Sequence, residues 1–178
     1  MGCWGITAFE SDTGLDAAGA VRDILPQDGN LKLKVLIKAM HTKDWGVPDV
    51  ADAHSHSSPM AVTEIIAKFL DGDAGGLDYD EDWAAEHNKF RDIITFSADK
   101  ESIGWLRDYL SDTVKYAKEN AEYGHKWNGW FKEKDWLGWQ EHMSELTERL
   151  DGLLALPEDP IELVQQQEQT QSTGMNFS

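Results

Sequence analysis

A chain of 178 residues with 16 basic and 33 acidic side chains carries a formal charge of −17, enough length for one domain with its own core and the wrong sign for a polyphosphate or an anionic membrane surface. One cysteine, Cys3, excludes an internal disulfide framework. No apolar run approaches a membrane span and no basic leader precedes an apolar one, so a cytoplasmic protein is expected.

The chain opens with Gly2, Cys3, Trp4, Gly5 and then Phe9-Glu10-Ser11-Asp12. Ser11 or Asp12 can cap a helix whose Leu15, Ala18, Val21 and Ile24 or Leu25 recur at helical spacing, ended by Pro26 and Asp28-Gly29-Asn30. Leu31 to Met40 fits two periods: Leu31, Leu33, Val35 and Ile37 alternate as in a strand, while Leu33, Leu36, Ile37 and Met40 form a helix face. Helix is the expectation, because a lone strand needs a partner and no comparable strand pattern appears elsewhere.

His41 to Ser58 reads as a long loop. Ser58-Pro59 then starts a helix with Val62, Ile65, Ile66 and Phe69 on one side and a Glu64–Lys68 pair on its flank, stopping at Asp71-Gly72. Beyond an acidic stretch, Trp83, Phe90, Ile93 and Ile94 suggest another helix. Asp99 caps the next, with Ile103, Leu106, Leu110, Val114, Ala117 and Ala121 as its stripe, ended by Gly124. After Trp127, Trp130 and Phe131 comes the most regular helix, on which Trp136, Trp139, Met143, Leu146, Leu150 and Leu153 are spaced by three and four. The pattern predicts a mainly α, single-domain irregular helical bundle of five to six helices over residues 1–156. A flexible acidic, Gln-rich tail is expected over 157–178, with the last fifteen or so residues disordered.

Three groups of residues could carry chemistry. Asp52-x-His54-x-His56 has the alternation with which a strand aims two imidazoles at one divalent ion, but the residues before it do not form a buried strand and the chain is too short for the barrel that motif belongs to. Asp71 to Asp82 holds six acidic residues and three glycines. Against the calcium-loop pattern Asp71, Asp73 and Asp82 take positions one, three and twelve, but position five is Gly75 and position twelve lacks the usual glutamate. Trp127, Trp130, Trp136 and Trp139 suit a helix anchored to its own core better than a stacking platform. No phosphate loop, nucleophile elbow or paired-cysteine metal site is present. No catalytic residue and no cofactor is therefore assigned, and a divalent cation is the one ligand kept in view.

The opening resembles a family in another way. Met1-Gly2-x-Trp4-Gly5, Phe9-Glu10-Ser11-Asp12 and Asp16 resemble the N-terminal signature of the bacterial family catalogued as domain of unknown function 4259, and Pro59 to Leu70, with Glu64, resembles its second helix. The resemblance implies a small, largely helical bacterial protein. It singles out Trp4, Gly5, Phe9, Asp12, Asp16 and Glu64 as positions of a site or of a fold-defining plug and cap. The leading expectation is a non-enzymatic module that binds a protein partner of basic character, in the manner of an immunity protein. The alternative is a divalent-metal-binding protein or metal-dependent hydrolase using Asp52, His54 and His56 or the acidic stretch.

Overall fold

The computed structural model describes residues 7–10, 12–43, 45, 47–52, 56–77, 89–122 and 136–163. Among these residues five α-helices and a small sheet make a mainly α fold. No helix among the described residues is long and apolar enough to cross a membrane.

α3 (Ser58–Leu70) is the axis. Its residues from Ser58 to Ile66 are all buried, as is Phe69, which is what a helix apolar nearly all round requires. It packs against α1 (Asp12–Asp23), α4 (Lys100–Glu122), α5 (Trp136–Leu154) and a 3₁₀ turn at Ala8–Glu10. Pro59 occupies its first turn as expected, but the residue preceding the helix is Ser57. The Ser58 hydroxyl donates to the Trp45 carbonyl and so ties down the preceding loop.

α4 starts as its sequence predicts. Asp99 Oδ2 accepts the Ser102 N–H at 3.1 Å and its hydroxyl at 2.8 Å, filling an otherwise orphan donor of the first turn. α4 and α5 lie side by side, and Leu110, Ala117, Trp139, Met143 and Leu146 join Ala8, Ala17, Met60 and Ala61 in one apolar cluster. Trp139 is fully buried, and Trp136 stacks on it with ring centroids 5.8 Å apart. The core assignment thus holds for Trp139; Trp127, Trp130 and Phe131 lie outside the described residues.

The strands correct three expectations. Leu31 to Met40 is not one helix: β1 (Asn30–Lys32) is followed directly by α2 (Leu33–Thr42). The helical period is the one realised, with Leu33, Leu36, Ala39 and Met40 buried and Val35 exposed, while of the alternating set only Leu31 lies in a strand. The partner strand comes from the stretch read as a helix around Ile93 and Ile94. There a 3₁₀ turn (Phe90–Asp92) leads into β2 (Thr95–Ala98), parallel to β1 with Leu31 opposite Phe96. Gly29 makes the junction at φ +80°, and its carbonyl accepts from Ile94 N–H at 2.7 Å and Thr95 N–H at 3.0 Å.

The third correction concerns the C-terminal side. The boundary expected after residue 156 fails because β3 (Ile161–Glu162) pairs antiparallel with β2, Ala98 opposite Ile161, and Leu163 N–H donates to the Phe96 carbonyl at 2.8 Å. Ile161 and Leu163 are buried in the larger apolar cluster with Leu31, Phe69 and Phe96. Residues 164–178 lie outside the described residues.

Candidate functional site

The site forms where α3, α5 and the Ala8–Glu10 turn meet. The turn is built by a Thr-x-x-Glu pattern: Glu10 N–H donates to the Thr7 carbonyl at 3.0 Å, and Glu10 Oε1 accepts both the N–H and the hydroxyl of Thr7 at 3.0 Å. Glu10 thus supplies the carboxylate half of a capping box, while its own N–H goes to the Thr7 carbonyl and not to the hydroxyl. Gly14 of α1 lets the turn lie against the helix, because a Cβ there would stand 1.8 Å from the Ala8 carbonyl oxygen. The close approach aims the Ala8 N–H at α3, where it donates to Glu64 Oε2 at 2.6 Å.

Glu64 does not form the flank pair with Lys68 that its spacing suggested. Lys68 turns to Asp73 at 3.2 Å, while Glu64, 8% exposed, turns inward. The same Oε2 lies 2.9 Å from His142 Nε2 of α5. One carboxylate oxygen therefore joins three segments that are far apart in sequence, satisfying a buried amide and orienting an imidazole.

Burial of the His142 ring works against its charged form, but the Glu64 hydrogen bond and charge, with the charges of Glu145 and Glu10, outweigh it and raise the pKa above the ordinary imidazole value. A group whose pKa is raised on folding binds its proton more tightly in the folded state. Its stabilising contribution is fully present below the unfolded value, about 6.5, and is lost as pH rises through the folded value. Accordingly, the denaturation midpoint of the wild type should fall relative to that of His142→Gln as pH rises from about 6 to 9. Parallel pH profiles for the two proteins would show that the dyad carries no proton linkage.

A cleft of about 250 Å³ opens beside the dyad between α3 and α5, lined by Glu64, His142, Ala67, Leu146, Glu145 and the Arg149 side of α5. Arg149 donates to Asp71 at 2.7 Å, so this cation is already matched.

The other sequence candidates separate. Asp71 faces Arg149 and Asp73 faces Lys68, and Ala74–Leu77 between them and Asp82 winds into a 3₁₀ turn. The two described carboxylates of the calcium pattern thus serve separate cations; Asp82 lies outside the described residues. Asp52 ends a 3₁₀ turn (Val50–Asp52), His56 is buried, and His54 lies outside the described residues. No group of three or more His, Cys, Asp or Glu suited to a metal is found among the described residues. Of the signature positions, Phe9 packs against both apolar clusters, Asp12 begins α1, Asp16 is exposed, and Trp4 and Gly5 lie outside the described residues.

Of the four described signature positions, then, the dyad uses Glu64. His142 and Glu10 escaped the sequence reading although each carried a signal: Thr7-x-x-Glu10 is a capping-box pattern, and His142 stands three residues after Trp139 and four before Leu146, at the edge of the buried stripe.

The model of the family described as Domain of unknown function (DUF4259) matches residues 2–142. No curated protein and no solved structure matches the chain.

Proposed function

This chain belongs to the family of domain of unknown function 4259, and we propose that it acts as a non-enzymatic interaction module, binding and neutralising a basic protein partner as a bacterial immunity protein does. The observation that carries this reading is a carboxylate stripe on α5. Glu141, Glu145, Glu148 and Asp151, spaced by three and four, are all exposed. Among the described residues only Asp151 of the four has a salt-bridge partner, Arg107 of α4 at 2.8 Å. Like charges at this spacing oppose the helix by a few tenths of a kcal/mol per pair, a cost that a cationic surface docked on them removes. The charge of −17 argues in the same direction and against nucleic acid. With one cysteine in the whole chain, the reading places the protein in the reducing cytoplasm.

Co-expression with the products of neighbouring genes, or a pull-down from source cells, should yield a stoichiometric complex that dissociates as salt is raised. The double substitution Glu141→Lys and Glu148→Lys should weaken that complex on the order of tenfold, chiefly through the association rate. Failure to retain a partner at low salt would remove the reading's support. The metal alternative then stands or falls on elemental analysis of chelator-free protein and on melting curves with calcium, zinc and manganese; an unchanged curve with each ion ends it.

A further inference from the structure

We propose that the cleft between α3 and α5 receives the guanidinium of an arginine side chain presented by the basic partner, an inference that rests on the interaction reading above. The floor is Glu64, more than nine-tenths buried. Its Oε2 takes both the Ala8 N–H and His142, whereas Oε1 makes no hydrogen bond among the described residues and is not fully shut off from solvent, and Glu64 lines the cleft. A largely buried carboxylate on a cleft wall, with one oxygen committed and the other unpaired and not fully shut off, is an acceptor prepared for a donor from outside.

Charge around the cleft leaves room for a cation. Each resident cation is matched: Lys68 by Asp73, Arg149 by Asp71 and His142 by Glu64. Glu145 is the wall carboxylate left over, and with Glu10 it adds negative potential at His142. A planar guanidinium can give one edge to Glu64 Oε1 and another to Glu145, which a point-charge ammonium cannot do with the same geometry. Ala67 and Leu146 supply apolar wall for the methylene stem.

The position of His142 makes the site sensitive to pH. The charged groups around His142 and its cleft are Glu64 and Lys68 of α3, Asp71 just after it, Glu10 of the turn, and Glu145 and Arg149 on α5 itself. An incoming guanidinium and a protonated His142 compete for the same carboxylates. Binding therefore strengthens as pH rises and His142 loses its proton, and by linkage the bound cation lowers the apparent pKa of His142.

The test uses the purified full chain and follows the His142 ring by NMR through a pH titration, alone and with n-butylguanidinium or an end-capped Gly-Arg-Gly peptide. Both probes should lower the His142 midpoint, and Glu145→Gln, an exposed change, should weaken each several-fold with the melting temperature unaltered. An unmoved titration with both probes overturns the proposal. A response to n-butylguanidinium without one to the peptide also overturns it, since the cleft would then take a small free cation. Peptide binding by a protein that captures no partner would separate the two inferences, leaving the cleft assignment in place and removing the interaction reading.

Discussion

Glu64→Ala should destabilise the protein by about 3 kcal/mol, because it removes at once the acceptor of a buried amide and the partner of a partly buried imidazole. For a chain of this size that corresponds to a fall in melting temperature of roughly 6–12 °C. The Ala8 N–H has its acceptor in Glu64 Oε2 at 2.6 Å, and Ala8 is fully buried, so losing that acceptor carries the desolvation cost of a buried amide. His142 keeps 17% of its side-chain exposure and can recover part of its solvation. Most of the loss therefore comes from the amide. Glu64→Gln separates the two contributions: an amide oxygen still accepts from Ala8, while the charge that favours the His142 proton is gone. The glutamine variant should retain more than half of the lost stability and show a flatter pH profile than the wild type. Urea denaturation at two pH values measures both, and equal losses in the two variants would mean that the charge, and not the acceptor, holds the three segments together.

Gly14→Ala should cost at least as much, on the order of 3 kcal/mol or more. The methyl group would stand 1.8 Å from the Ala8 carbonyl oxygen and 2.4 Å from its carbon, both backbone atoms that no rotamer change can move. Relief requires the Ala8–Glu10 turn to lift from α1, which withdraws the Ala8 N–H from Glu64. The two substitutions act on one contact, so Gly14→Ala with Glu64→Ala should cost less than the sum of the singles. Full additivity in a double-mutant cycle would place the effect of Gly14 elsewhere.

Helices were legible in the sequence because their apolar stripes are long. α4 announces itself through Ile103, Leu106, Leu110, Val114 and Ala117 behind Asp99, and α5 through Trp139 to Leu153. The sheet was not, for a physical reason. β1 and β2 hold three and four residues, too few for alternation to stand out, and β2 is stabilised by segments distant in the chain. Thr95 Oγ1, for example, donates to Asn30 Oδ1, 65 positions away. β3 was hidden further by its acidic and proline-rich surroundings, though Ile161 and Leu163 repeat with the period of a strand.

The site was half legible. The family resemblance drew attention to Glu64, yet helical spacing made Lys68 its natural partner, and spacing alone cannot say which face of α3 meets solvent. Burial of α3 on nearly every side decides that question, sending Lys68 out to Asp73 and Glu64 in to Ala8 and His142. Asp16, another acidic signature position, is exposed on α1.

The return of the chain to β2 has a consequence for what counts as an autonomous folding unit. The family match ends at residue 142, but Met143, Leu146, Leu150, Leu153, Ile161 and Leu163, which follow it, are all buried. At about 1.5–3 kcal/mol for each buried apolar side chain, those six contribute on the order of 10 kcal/mol, as much as the whole net stability of an ordinary domain. A fragment cut where the family match stops would lose members of both apolar clusters, Met143 and Leu146 beside Trp139 and Leu150, Leu153, Ile161 and Leu163 beside Leu31 and Phe96, so the described core extends well past the family match.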